Sequence, residues 1–379
     1  MAPLRSVGLP EGRRTSVEFP RQQGFRMPAE WESHEATWIA WPHEESDWPG
    51  KFEAIQWVYG EIVRHLARVE RISILVEDEE EEEDAREILR VCHAGAASVR
   101  FFHIRTDRSW TRDFCPAFLK REKADLSSAY ADVQLPAELG ALNWRFNGWA
   151  KYDNWTYDDR VAASVAATLK LAEWTPMWKG ERVVLEGGAI EVNGRGTILT
   201  TEECLLSPIQ ARNPAYSRED YQAIFANFLG ATNTLWLRNG IAGDDTHGHV
   251  DDLARFVDSS TVVAVEERDT TEVNHAPLEE NLALLREMKD QDGAPLRIVT
   301  LPMPEPVFLD NQRLPASYAN FYIANRLVLA PTFNDKNDRV ALETLAGLFP
   351  GRTVVGIAAT DLVLGLGTLH CMTQQQPAL

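Results

Sequence analysis

The sequence predicts an α/β protein built from repeated units, each with one helix bracketed by short strands. Helix starts recur about every 60 residues, at Asp159, Ser217, Pro277 and Asp338. Each start is a capping or first-turn residue followed by apolar side chains at helical spacing. Short apolar or β-branched segments, which are typical of buried strands, lie before and after each helix. Regular units of this size favour a cyclic or stacked array.

The residues with candidate chemistry lie in different units, at positions 113, 186, 249 and 371. They can meet only if the units surround a common axis. We therefore predict one catalytic domain over residues 25–379, although a chain of 379 residues could form two or three domains. Residues 1–24 are rich in Arg, Pro and Gly and lack apolar periodicity, so we expect a flexible extension there.

The part of the chain before the first repeated helix contains two predicted helices and two predicted strands. Apolar residues at helical spacing predict a helix over 52–69, and an apolar run predicts a buried strand over 72–76. An acidic run ends in a short predicted helix over 85–92, and a strand follows over 99–104. Later strands are expected over 182–185, 197–199, 234–237, 261–265, 297–300, 321–323, 327–329 and 353–357.

Composition excludes several classes of partner. The formal net charge is −19, which disfavours nucleic acid and anionic membranes because both require a basic face. No apolar run approaches a membrane span, and no apolar segment near the N-terminus is typical of a signal peptide. The four cysteines are too far apart for a CxxC motif. We expect a cytoplasmic protein with a small cationic ligand, and a homodimer is compatible with the sequence.

Cys371 is the candidate nucleophile. It follows Gly365 and Gly367, which allow a tight turn and a close approach of the backbone to a ligand. A thiol attacks as the thiolate, so it needs a positive or basic neighbour. The alternative is a small buried apolar cysteine, which is the commoner fate of a lone Cys.

His249 and Asp251 form the second candidate group. Two residues apart, they would point to one face of an extended segment, and a histidine beside a carboxylate suits proton transfer near neutral pH. The triplet His247, His249 and Asp251 is equally compatible with a zinc or iron ligand set.

Acidic side chains beside tryptophan or glycine complete the candidate site. Asp107, Trp110 and Asp113 follow a predicted strand, and an aromatic face with a carboxylate suits a flat cation. Glu186 precedes two glycines at the end of another strand, from which it could reach a pocket. The alternatives are a structural ion pair at Arg112 and an ordinary turn acid at position 186.

One thiol, one histidine and several carboxylates together favour a guanidinium substrate, which is planar, permanently charged and forked. Carboxylates would hold the cation and concentrate positive charge on its central carbon, where a thiolate could attack. His249 would protonate the departing nitrogen as ammonia and then activate water against the amidino-cysteine. This chemistry requires neither a metal nor a cofactor.

The sequence resembles the agmatine deiminase family, also called bacterial-type peptidyl-arginine deiminases, of the guanidino-modifying pentein superfamily. The resemblance covers Arg26 to Pro377. The segments that carry it are Met27–Glu32, Trp41–His43, Trp110–Asp113, Glu186–Gly188, Leu199–Cys204, Gly243–Thr246, Gly248–Asp252, Leu314–Tyr318 and His370–Pro377.

The resemblance implies a five-bladed α/β propeller with pseudo-fivefold repeats and a central active site. It also implies hydrolysis of agmatine to N-carbamoylputrescine and ammonia, with Cys371 as nucleophile and His249 as general acid and base. Asp113 and Asp251 would hold the guanidinium, while Glu186 would orient His249 or the substrate. Three positions depart from the family pattern as Cys115, Glu191 and His247.

Other activities remain open at this stage. The same fold could host a deiminase of free or peptidyl arginine, or an amidinotransferase that passes the amidino group to an amine. A metallohydrolase using His247, His249 and Asp251 represents a different class. A binding protein for guanidines is disfavoured because it would not need Cys371.

Overall fold

Five sheets with the same internal order organise the described part of the chain. The computed structural model describes residues 19–125, 134–135 and 137–379. In every sheet an antiparallel pair of strands is followed by a parallel pair. The strands, sheet by sheet, are Gln374–Pro377, His34–Ala40, Arg71–Val76 and Val99–His103; Ala117–Arg121, Glu138–Leu142 and Ala172–Trp174; Glu191–Val192, Thr197–Thr201 and Asn233–Leu237; Ala254–Phe256, Thr261–Glu266 and Arg297–Pro302; and Tyr322–Ala324, Leu327–Thr332 and Thr353–Ala358.

A helix connects each parallel pair, because parallel neighbours need a long crossover. Shorter helices and single turns lie in the connections, several of them next to the candidate residues. The crossover helices are Phe52–Leu66, Glu79–Val91, Asp158–Leu169, Arg218–Ile224, His275–Glu287 and Asp338–Leu348. The shorter helical segments are Pro20–Gln23, Glu45–Asp47, Ala96–Ser98, Thr111–Phe114, Gly148–Ala150, Gly187–Ala189, Glu202–Leu206, Phe225–Leu229, Val250–Asp252 and Leu362–Gly365. Two-stranded pairs are Ala124–Asp125 with Gln134–Leu135, Met177–Trp178 with Glu181–Arg182, and Phe308–Leu309 with Gln312–Arg313.

The helix rhythm is confirmed within one or two residues. The helix predicted from Asp338 begins there. Ser217 caps the helix Arg218–Ile224 through a capping box with Asp220. The other two start at Asp158 and His275, slightly earlier than expected.

Two local predictions are wrong. The helix predicted over 85–92 begins at Glu79, because the Asp78 side chain accepts hydrogen bonds from the Glu80 and Glu81 amides and acidic residues suit a helix N-terminus. The strand predicted over 182–185 is interrupted: Glu181–Arg182 pairs locally, and Val184 makes only a single bridge to Arg145.

The first sheet joins the two ends of the described chain. Gln374–Pro377 runs antiparallel to His34–Ala40, so the segment just after Cys371 becomes an edge strand of the N-terminal sheet. The buried Trp38 indole donates to Gln376 across this pair. This pairing anchors the candidate nucleophile.

The N-terminal segment and the helices complete the description. Of the predicted extension, residues 1–18 lie outside the described residues, whereas Pro20–Gln23 form a 3₁₀ turn with Pro20 buried. Among the described helices, none has both the length and the apolar character needed to cross a membrane.

Candidate active site

Cys371 lies at the wall of a cavity and is held by Asn320. Its thiol is 7% exposed, the Asn320 side-chain amide donates to Sγ at 3.1 Å, and Sγ lies 3.6 Å from Asp251 Oδ2. Asn320 Oδ1 accepts from the Thr368 hydroxyl at 2.7 Å and from the His370 amide at 3.0 Å, which fixes the turn before the cysteine. Nothing in the sequence around Asn320 indicated this role.

The cavity has a volume of about 190 Å³ and contains three of the predicted residues. Cys371, Asp113 and Trp110 lie on its wall. The full lining is Ser46, Asp47, Arg108, Trp110, Asp113, Trp149, Tyr152, Asp245, Thr246, Leu364, Gly365, Leu366, Gly367 and Cys371.

Asp113 and two further predicted residues, His249 and Asp251, converge at Gly188. A Cβ placed on this glycine would lie 2.6 Å from His249 Nδ1, 3.0 Å from Asp113 Oδ1 and 3.1 Å from Asp251 Oδ2. A side chain fits there only if its neighbours move, because real Cβ atoms do not approach other heavy atoms so closely. The glycine therefore lets a histidine and two carboxylates meet beside the cavity.

Asp113 is oriented by two donors. The indole of Trp149 donates to Oδ2 at 2.8 Å and the Gly188 amide donates to Oδ1 at 2.9 Å. Burial raises the pKa of Asp113, and the neighbouring Asp251 and Glu186 add to that shift while His249 opposes it. A cation bound here would therefore be attracted strongly by a poorly solvated carboxylate.

His249 does not lie on the extended segment that its spacing indicated. Val250–Asp252 form a 3₁₀ turn with His249 as its N-cap, and Gly248 before it has a φ of 92°. Burial alone would lower the pKa of His249, but Asp113, Cys204 and Glu186 together raise it well above its usual value. His249 is therefore suited to start a reaction as the proton donor.

Glu186 lies behind His249 and is paired with Arg212, which the sequence analysis missed. Glu186 Oε1 accepts from Arg212 Nε at 3.0 Å, and Oε2 lies 3.8 Å from His249 Nε2. Burial opposes ionisation of Glu186, but Arg212 and His249 lower its pKa to about 2. A buried carboxylate that stays charged can orient the imidazole and stabilise its protonated form.

The pKa of the Cys371 thiol is raised well above its usual value by burial and by the surrounding carboxylates Asp251, Asp252 and Asp113. These surroundings favour the neutral thiol over the thiolate. A cation that binds among these carboxylates would offset their repulsion and favour the thiolate.

Trp110 and Asp107 occupy different places. Trp110 is buried against the turn of Cys371, since a Cβ on Gly365 or Gly367 would lie 2.8 or 2.9 Å from its ring. Asp107 is not part of the cavity: its Oδ2 accepts from the Tyr157 amide at 2.6 Å, at the start of the helix Asp158–Leu169. The Asp107 carboxylate therefore caps this helix, and its predicted contact with the substrate stays a prediction that the cavity lining does not support.

Comparison with known proteins assigns the chain to a family. The family model for Porphyromonas-type peptidyl-arginine deiminases matches residues 26–377, which is nearly the whole chain. The chain belongs to this deiminase family. A relative from Latilactobacillus sakei subsp. sakei, provisionally named an agmatine deiminase, is 32% identical over 96% of this chain and 99% of its own length.

Solved deiminase structures share the α/β fold of the chain. Agmatine deiminase of Enterococcus faecalis superimposes with a TM-score of 0.85 at 29% identity, covering 97% of this chain and 99% of the other. A Cys-to-Ser variant of C. jejuni agmatine deiminase with substrate bound gives a TM-score of 0.79 at 27% identity, covering 93% and 96%.

Where this deiminase departs from the family pattern, the side chains lie away from the cavity lining. Glu191 Oε2 accepts from Arg255 Nε at 2.9 Å, and Cys115 is a buried core residue. His247 Nε2 lies 3.1 Å from Ser207 Oγ, and its Nδ1 lies 3.7 Å from Glu203.

These contacts do not support the metal triplet that was predicted as an alternative. The His247 ring faces Ser207 and Glu203, and the described residues offer a different group of ligand atoms within 4.8 Å, from Glu186, Cys204 and His249. Arg212 already occupies one oxygen of Glu186, so a positive charge lies beside this group and disfavours a cation there.

Proposed function

We propose that this deiminase hydrolyses agmatine to N-carbamoylputrescine and ammonia through a covalent amidino-cysteine. The observation that carries the proposal is the meeting of a thiol, an imidazole and two carboxylates at one cavity. Both named solved relatives are agmatine deiminases.

The carboxylates account for binding of the guanidinium. The Asp113 and Asp251 carboxylates both lie next to Gly188, and their mutual repulsion would be relieved by a cation between them. Two carboxylates along the edges of a planar guanidinium would direct its central carbon toward Cys371. The bound cation would also lower the free energy needed to form the Cys371 thiolate, so substrate binding itself would activate the nucleophile.

The reaction then proceeds by two displacements. As the substrate binds, the Cys371 thiol releases its proton to solvent. The thiolate bonds to the guanidino carbon, and protonated His249 gives its proton to one terminal nitrogen, which leaves as ammonia. Neutral His249 next takes a proton from water, whose oxygen bonds to the same carbon. The carbon–sulfur bond breaks and the proton of the added hydroxyl passes to sulfur, so that the neutral ureido product leaves and the thiol and the imidazolium are restored.

The cavity walls favour a substrate with a distal ammonium over one with a carboxylate. Asp47 and Asp245 add acidic groups to the lining. Arg108, the arginine among these lining residues, is already paired with Asp47 and bonded to Asn154 at 3.2 Å, and it stacks on Tyr152. Asp47 and Asp245 are themselves paired, with Arg108 and with Lys151. The lining still carries three aspartates against one arginine, and this excess of negative charge favours an ammonium over a carboxylate.

We also propose that the five sheets are the blades of a propeller around this cavity. Each has the same strand order and helical crossover, and the site residues come from the connections of different sheets. A ring of such units would gather residues from positions 113 to 371 at its axis.

The test is turnover of agmatine, free arginine and a blocked peptidyl-arginine by the purified protein, with ammonia and ureido product both measured. We expect product from agmatine, loss after iodoacetamide and no effect of a chelator. Activity lost to chelator but not to alkylation would contradict the thiol mechanism. Ammonia from arginine alone would contradict the choice of substrate, and amidino transfer to an added amine would indicate the alternative reaction.

A further inference from the structure

We propose that His370 is a positioning residue that holds the Asp251 carboxylate in its working orientation by linking it to Glu30. The inference rests on the proposed function, in which Asp251 binds the guanidinium. His370 precedes the nucleophile in sequence, and its two ring nitrogens contact two carboxylates.

Both ring nitrogens of His370 are engaged by acids. Nδ1 lies 2.7 Å from Asp251 Oδ2, and Nε2 lies 2.8 Å from Glu30 Oε2. A neutral imidazole carries one N–H, so only the imidazolium can donate to both carboxylates at once. The ring is 1% exposed, and water cannot replace either partner.

Glu30, at one end of the hydrogen-bonded series Glu30–His370–Asp251, is held in place by several donors. Its Oε2 also accepts from Arg112 at 3.1 Å and from Arg255 at 2.9 Å, while Oε1 accepts from the Ile323 amide at 2.7 Å. Two guanidinium groups balance its charge, so Glu30 can hold His370 without becoming protonated. Arg112 thus serves in a structural ion pair, as the sequence alternative suggested.

The contact with His370 gives the two oxygens of Asp251 different surroundings. Oδ2 is bonded to His370 and lies 3.6 Å from Cys371 Sγ, whereas Oδ1 is buried and accepts no hydrogen bond from the described residues. A buried, unbonded carboxylate oxygen is costly unless a ligand satisfies it. Oδ1 is therefore the atom that would receive a guanidinium N–H, provided that His370 prevents rotation of the carboxylate.

Two substitutions of His370 distinguish the contact made by Nδ1 from the contact made by Nε2. In His370→Asn the amide nitrogen takes the place of Nδ1 and can still donate to Asp251, whereas in His370→Gln it takes the place of Nε2 and can reach only Glu30. We expect His370→Gln to lower kcat/KM for agmatine on the order of 10- to 100-fold, with His370→Asn recovering most of that loss.

Binding is measured in the same pair of variants carrying Cys371→Ala, by calorimetry with agmatine. The dissociation constant should rise in the Gln variant and stay close to that of the Cys371→Ala parent in the Asn variant. A matched control is His34→Gln, because His34 is also buried, with its ring between Glu70 and the Glu30 carbonyl, but does not touch Asp251. This control should lower the melting temperature without the same loss of kcat.

Equal activity of His370→Gln and His370→Asn would overturn the proposal, as would a loss in His34→Gln as large as that in His370→Gln. Failure of the proposed function gives a different result, since the unmodified protein would then release no ammonia from agmatine. Circular dichroism and melting temperatures of all variants show whether each is folded, and a folded Gln variant with full activity also refutes the role.

Discussion

Gly188→Ala tests whether the meeting of His249, Asp113 and Asp251 is needed for activity. The added methyl would lie 2.6 Å from His249 Nδ1, where ordinary contact requires at least about 3.4 Å. The imidazole or the backbone must therefore move by nearly 1 Å. Gly188 does not have a positive φ, so the perturbation is steric and not a backbone strain.

The expected cost can be estimated separately for stability and for rate. Overpacking a buried site costs about 1–3 kcal/mol of unfolding free energy. A misplacement of about 1 Å in a catalytic group costs about 100-fold in rate. We therefore expect a folded protein with a melting temperature lowered by several degrees and kcat/KM reduced by about two orders of magnitude.

The assay is ammonia release from agmatine, with thermal unfolding measured on the same samples. Gly347→Ala is the matched control, because no atom lies within 4 Å of its added methyl and the residue lies in the helix Asp338–Leu348. It should keep full activity and gain up to about 1 kcal/mol of stability. If Gly188→Ala kept kcat/KM within about threefold of the parent, the proposed arrangement of the three side chains would be refuted.

Three further outcomes are expected. Cys371→Ala should abolish turnover and still bind agmatine by calorimetry; measurable turnover would remove the covalent step. Asp113→Asn should lower kcat/KM by more than tenfold in the ammonia assay, and a smaller effect would contradict direct contact with the guanidinium. Because the pKa of Glu186 is depressed to about 2, its ion pair with Arg212 stabilises the fold above the unfolded pKa and loses that contribution as pH falls toward 2. Glu186→Gln should accordingly lower stability at pH 7 by about 3 kcal/mol and flatten the acid limb of the melting-temperature profile, and an unchanged profile would contradict the pairing.

The chemistry-bearing residues were predictable because their residue types limit what they can do. A cysteine after a glycine turn, a histidine near an aspartate and an acid beside a tryptophan each indicate a small set of reactions. The structure places Cys371 and Asp113 on the cavity wall and brings His249 and Asp251 beside them. Their assigned roles remain predictions that the substitutions above test.

The supporting residues were not predictable, because their contacts join positions far apart in the chain. Asn320 and Arg212 look like ordinary turn residues until the fold places them against Cys371 and Glu186. Asp107 illustrates the same difficulty, since its sequence neighbours suggested the cavity whereas its carboxylate accepts from the Tyr157 amide, 50 residues later.

Helices and strands were predicted well where the apolar residues of the segment itself are periodic. They were predicted poorly where the segment forms a strand only by pairing with a distant strand. The crossover helices follow from their apolar stripes. The edge strand Gln374–Pro377 carries three glutamines and has no strand pattern of its own, yet it is buried against His34–Ala40. Tertiary pairing overrides weak local propensity in such a segment.

The most direct test of the central claim is mass spectrometry of the protein quenched in acid during turnover of agmatine. The Cys371 peptide should gain the mass of agmatine minus ammonia, at times that span the first turnover. Ammonia release with that peptide unmodified throughout, or with the added mass on Cys204 or another residue, would contradict attack by the Cys371 thiolate.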